Sequence, residues 1–246
     1  MDRLIYTAMT GAKHIMAQQA NTANNLANLS TTGFRAQLDT FRAVPVVSDS
    51  LPTRAFVVDS TMGADFTQGA LHQTGRELDV ALQGKGWIAV QLEDGSEAYT
   101  RQGSLKTNEN GVLQTSGGQA VLGEGGPLSI PPDVNVTIAS DGTISTTERA
   151  GLPGQANIVG RIKLVNPPEE TLERGDDGLF RIKGGGEADA DATVRIASNT
   201  LEGSNVNPVE AMVNMISLGR QFEMHMSLLK NAESNAAKAS QLMAMG

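Results

Sequence analysis

Both ends of the chain carry apolar residues at helical spacing, while the long middle is broken by proline and glycine. Ile5, Ala8, Ala12, Ile15, Gln19, Thr22, Leu26 and Leu29 recur at intervals of three and four through more than three heptads. That is the spacing of a coiled-coil seam. At 1.5 Å per residue it runs for about 36 Å, and its small members would let a partner helix come close. Beside it, Gln18, Asn21, Asn25 and Asn28 form an amide stripe at the same spacing. Gly33 is placed to end the helix or to form the turn after it. At the other end, Asn207 and Pro208 supply a cap and a first helical residue. The seam predicted for this second helix is Met212, Met215, Gly219, Phe222, Met226 and Leu229.

Eight of the nine prolines fall between the two helices, as do nearly all strand signals. In WIAVQL (87–92), Ile88, Val90 and Leu92 alternate with Trp87, Ala89 and Gln91. Turns are predicted at Asp94-Gly95, Asn110-Gly111, Gly117-Gly118 and Asp141-Gly142. VNVTI (134–138), IVGRIKLV (158–165) and LFRI (179–182) read as further strands. The fold class expected is α+β: paired, coiled-coil-like N- and C-terminal α-helices with an inserted all-β domain.

The 246 residues can bury a substantial core. A net charge of −8, with no basic cluster, disfavours nucleic acid and anionic membrane surfaces as partners. No cysteine is present, which excludes disulfides, thiolate metal sites and cysteine nucleophiles. Residues 15–34 carry no charge but are too rich in Asn, Gln, Ser and Thr to span a membrane. The opening residues lack the continuous apolar core of a Sec-type signal peptide.

Little in the sequence points to catalysis or cofactors. His14, His72 and His225 share no metal-ligand spacing, and His14 and His225 are expected on exposed helix faces. The glycine clusters at 84–86, 123–126 and 184–186 lack the lysine and hydroxyl of a phosphate loop and the spacing of a dinucleotide fold. The pairs Glu93-Asp94, Glu169-Glu170 and Asp176-Asp177 sit beside turn residues and read as solvated loop charge. The expectation is a non-enzyme with no catalytic, cofactor or metal site.

The terminal seams are therefore the informative feature. A helix that packs on one partner alone can leave its other faces charged, yet the first helix is uncharged from 15 to 34. Its amide-rich flanks suit a helix enclosed by other protein, because Asn and Gln exchange hydrogen bonds across a close contact. In water alone such a helix is marginal. The expectation is assembly between subunits as well as a hairpin within one.

The stretch ANNLANLSTTGF (23–34) resembles the signature of flagellar rod and hook proteins. LDVALQGKGWIAV, the AYTRQGSLKTNENGVLQTSGGQAVLG segment and LEGSNVNPVEAMVNMISLGRQFEM resemble three further family segments in the same order. Length, the opening MDRLIYTAMTGA and FRAQLDTFRAVPV are most similar to the proximal rod members. The resemblance implies a helix of an inner tube domain at 1–32 and an extended linker at 33–76. It further implies a β-rich outer domain at 77–190, a return linker at 191–206 and the second tube helix at 207–246. It implies a torque-transmitting subunit in the periplasmic part of the basal body, exported by the flagellar type III apparatus without cleavage. The partners implied are other copies of the chain and other rod proteins, with no direct membrane insertion. By position, Asn24, Asn25, Leu26, Asn28, Gly33 and Phe34 carry the first signature, and Asn207 and Pro208 belong to the last. With the two seams they make up the expected assembly interface. A distal-rod or hook-type axial subunit is the alternative within the family. In another class, the alternative is a secreted β-domain binding module on a helical stalk.

Overall fold

The computed structural model describes residues 2–45, 55–148 and 156–244, which gather into two compact units. One comprises Met1–Leu29, Ala36–Asp65 and Val206–Gly246; the other comprises Ser30–Arg35 and Phe66–Asn205.

The first unit is built on two helices, α1 (Asp2–Ala27) and α2 (Pro208–Ala244). Asn207 caps α2: its side-chain oxygen accepts hydrogen bonds from the Val209 and Glu210 amides at 3.1 and 3.4 Å. On α1 the expected seam is the covered one. Ala8, Ala12 and Ile15 are buried, and Gln19, Thr22, Leu26 and Leu29 are half-buried. Ile5's side chain lies outside the described residues. On α2 the covered stripe is Ala211, Met215, Leu218, Phe222, His225, Leu229 and Ala232, again at four-three spacing.

Of the predicted α2 seam, Met215, Phe222 and Leu229 lie on this stripe, while Met212, Gly219 and Met226 are one residue out of phase with it. Met212 and Met226 are exposed, and no atom lies near the space a Cβ on Gly219 would fill. Two heptad phases share three of their members here, and the structure adopts the one with alanine at both ends. Small residues let the axes approach closely, whereas flexible methionines tolerate the surface. His14 and His225 are half-buried rather than exposed. Gly11 makes room for the His225 ring, since a Cβ there would stand 2.6 Å from its Cε1.

The unit also holds an antiparallel hairpin, β1 (Gln37–Pro45) with β2 (Ala55–Ala64), within the segment expected as an extended linker. A register shift at Thr40/Phe41 marks a bulge.

The second unit is antiparallel β throughout. Its main sheet runs, in spatial order, through strands 172–174, 180–182, 97–100, 87–91, 120–123, 113–115 and 105–107. A three-stranded sheet (134–138, 143–148, 157–161) and two pairs (80–83 with 195–198, 71–73 with 200–202) complete it. The last two pairings put sheet structure into the expected return linker. Each predicted turn joins two strands. The run IVGRIKLV serves two sheets, with 157–161 in the smaller and 164–165 in the larger. WIAVQ is a central strand covered on both sides. Ile88 and Val90 join an aliphatic core with Val80, Leu82, Leu113 and Ile144, all fully buried. Trp87 turns instead to Phe180 and Phe66, with ring centroids 4.5 and 5.9 Å away.

Candidate functional site

Three features stand out: the outer faces of the helices, the amide stripe of α1, and a buried charge cluster in the β unit. The outer faces are the most unusual. Thirteen large apolar side chains are exposed among the described residues, and eleven of them belong to the helical unit. On α1, Tyr6, Met9, Lys13, Met16, Ala20, Ala23 and Ala27 form an exposed stripe at three-four spacing, one residue ahead of the buried seam. On α2, Val209, Met212, Val213, Ile216, Met224, Met226 and Leu228 are exposed, Val209 at 69% and Ile216 at 60%. Each helix is therefore apolar on more than the face its partner covers. No described helix is long and apolar enough to cross a membrane.

Three members of the amide stripe find partners within the chain. Asn25 is locked to the β1 backbone in both directions, its Nδ2 donating to Gln37 O at 3.0 Å and its Oδ1 accepting from Gln37 N at 2.8 Å. Asn21 Nδ2 donates to Asp39 Oδ1. Asn28 Nδ2 donates to Asn24 O at 2.9 Å, and Asn24 itself is exposed. Within the chain, the amides at 21 and 25 bind the hairpin to the helix. Burying the edge of a strand against α1 obliges something to satisfy its backbone, and a primary amide carries both a donor and an acceptor.

Just past α1 the chain makes a sharp turn at Gly33, whose φ of +68° is left-handed. Its amide donates to Glu202 O at 2.8 Å, and a Cβ there would stand 2.3 Å from Arg101 O. Phe34 is buried beneath Arg174, whose guanidinium carbon is 4.5 Å from the ring centroid. Arg174 Nη1 also donates to Arg35 O at 2.8 Å. Phe34, Phe66, Trp87 and Phe180, four of the nine aromatic residues, meet around Arg174 and Arg101.

Behind them lies a buried carboxylate with two guanidinium partners. Arg35 Nη2 stands 2.6 Å from Glu202 Oε1 and Arg101 Nε 2.9 Å from Oε2; the Arg35 and Glu202 side chains are fully buried. Gly69 N donates to Oε1 at 2.9 Å, and Arg101 Nη2 donates to Gly84 O at 2.6 Å. Burial pushes the Arg101 guanidinium below its ordinary pKa; Glu202 opposes that shift and Arg35 adds to it. The two cations share one carboxylate away from bulk solvent, while Arg35 Nε and Nη1 are buried without a hydrogen-bond partner.

The sequence reading singled out none of Arg35, Arg101 and Glu202. The signal was nonetheless present, because Arg35 follows Gly33-Phe34, Arg101 lies in AYTRQG and Glu202 is the second residue of LEGSNVNP. Three of the quoted segments converge on one cluster. Among the described residues, no group of three or more His, Asp or Glu side chains is arranged to hold a metal ion.

Comparison with known proteins matches the chain in three places. Residues 5–35 fit the flagella basal body rod protein family, 81–146 the D1 domain of flagellar hook protein FlgE/F/G, and 197–242 the flagellar basal body rod FlgEFG protein C-terminal family. The flagellar basal-body rod protein FlgF of Escherichia coli is 50% identical, over the full length of both chains. FlgF of Salmonella typhimurium is 49% identical over the same extent. The flagellar basal-body rod protein FlgG of Buchnera aphidicola is 31% identical over 92% of this chain and 95% of its own.

Proposed function

We propose, from the premise that this chain belongs to the flagellar basal-body rod protein family, that it is a structural subunit of the rod, in its proximal part. The observation that carries the mechanism is the apolar surface of the helical unit. Burying a large apolar side chain is worth about 1.5–3 kcal/mol in full, so these partly exposed ones each offer roughly 1 kcal/mol. Eleven of them amount to about 10 kcal/mol, comparable with the ~4–15 kcal/mol cost of immobilising a partner. One neighbour covering part of this surface gains too little; several neighbours covering it together gain enough. Such a subunit stays monomeric in dilute solution and joins only a growing assembly.

In this reading the seams at Ala8, Ala12, Ile15, Met215, Phe222 and Leu229 hold α1 and α2 together in coiled-coil fashion. The outward residues, Met212 and Met226 included, dock other copies and other rod proteins. Helices packed in this way form a tube that transmits torque, because close-packed side chains cannot slide past one another without opening voids. Transit through the flagellar type III export apparatus brings the chain to the periplasmic part of the basal body.

The test replaces Ile216 by Asp in the full chain, in cells lacking the natural copy. The purified variant keeps the wild-type circular dichroism and melting of its β unit, while the cells lose motility and their basal bodies lack the subunit. Normal swimming by this variant would remove the outer face of α2 from the interface.

A further inference from the structure

Three short segments carry every crossing of the chain between its two units: Ser30–Arg35, the start of Phe66–Asn205 and the end of that same stretch. All three meet at Glu202. Its carboxylate accepts from Arg35 of the first segment at 2.6 Å and from the Gly69 amide of the second at 2.9 Å, and it belongs itself to the third. Its other oxygen accepts from Arg101 at 2.9 Å, and Arg101 is fastened to the sheet through Gly84 O. The backbones are stitched as well. Gly33 N donates to Glu202 O at 2.8 Å, Asn205 N to Phe34 O at 3.4 Å, and Asn205 Nδ2 to Thr67 O at 3.1 Å.

We propose that Glu202 is a positioning residue that makes the three crossing segments one clamp, so that mechanical load passing between the units is shared by all of them. Bonds arranged in parallel must break together, whereas three independent tethers would yield one at a time. A fully buried carboxylate suits this role because it accepts several charged and backbone donors at once. The load rests on the rod reading; the clamp itself does not.

Glu202→Gln in the full chain separates the two. Amide exchange on the purified monomer shows Gly33, Gly69 and Gly203 loosening together by about tenfold or more, while Val90 and Leu113 in the sheet keep their protection. Acceleration at Gly69 alone overturns the clamp, since that amide bonds the altered side chain itself and needs no shared element to respond. If the variant loses its cooperative core, Arg35→Lys, which keeps the charge and gives up the fork, is read by the same exchange. In cells, basal bodies containing Glu202→Gln turn with a speed that falls more steeply with medium viscosity than wild type. A disulfide between Thr67→Cys and Asn205→Cys, added to the same chain, restores the wild-type slope. An unchanged slope, or no rescue by the disulfide, overturns load sharing. Absence of the wild-type chain from purified basal bodies overturns the rod reading, and the exchange result then decides the clamp alone.

Discussion

The β unit and the helical unit bury their apolar residues in opposite ways. In the β unit, Val80, Leu82, Ile88, Val90, Leu113 and Ile144 are wholly inside, and its most buried charges are bound to one another. In the helical unit, the buried apolar residues among the described side chains are Ala8, Ala12, Ile15, Ala211 and Ala232; Leu26, Leu29, Met215, Leu218, Phe222 and Leu229 are half-buried, and Met9, Met16, Met212, Val213, Ile216 and Leu228 are exposed. An alanine-lined contact brings helices close but removes little area from water, so it contributes little stability. The β unit completes its own core. The helical unit leaves many of its larger side chains exposed, and Asn21 and Asn25 tie its first helix to β1.

The contrast can be broken most sharply at Glu202. Glu202→Ala leaves two buried guanidinium groups without their carboxylate and costs the β unit about 3–5 kcal/mol, read as a lower denaturation midpoint of its cooperative transition. An unchanged midpoint would show that the cluster contributes nothing to that unit. Next comes Ile88→Ala, expected to cost about 2–5 kcal/mol through lost burial and a residual cavity, measured by urea unfolding followed at Trp87. A loss below that range means the sheet collapses around the gap. Asn25→Ala strands a donor and an acceptor of Gln37 and costs about 1–3 kcal/mol. The effect is confined to the helical unit and visible as faster exchange in β1 with the sheet unchanged.

Ile216→Ser sharpens the comparison from the other side. It changes the stability of the monomer by no more than about 0.5 kcal/mol and still abolishes incorporation into basal bodies; a destabilised monomer would place Ile216 in an intramolecular core. Smallest is Asp177→Asn. Arg181 donates to this carboxylate and holds its pKa below the ordinary value, with the Leu179 amide and charge attraction adding to the effect. A depressed folded pKa stabilises above the usual carboxylate pKa and fades as pH falls through the folded value. Because both side chains are more than a third exposed, the pair is worth under about 1 kcal/mol. Its pH dependence should vanish in the variant and shrink in high salt.

Much of this architecture is legible in the residues. The α1 seam, the Asn207 cap and the turns at Gly95, Gly111, Gly118 and Gly142 follow from local rules, because spacing, capping and turn chemistry act within a few residues. The α2 seam is legible only to within one rotation of the helix. Met212, Gly219 and Met226 fit a heptad as well as Ala211, Leu218 and His225 do, and only the partner helix tells them apart. The amide stripe is plain in the sequence, yet its partner is not, since Asn25 and Gln37 meet only once the chain has turned back on itself.

The sequence by itself determined that two long helices would flank a β-rich middle, and that one helix would be unusually free of charge. Periodicity and proline placement are enough for that, being properties of neighbouring residues. What only the tertiary structure decided is which helix faces are covered within the chain and which stay exposed. It also brought Arg35, Arg101 and Glu202 together, residues 66 and 101 positions apart along the chain. A buried charge is stable only beside its partner, and no local pattern records where in space that partner will stand.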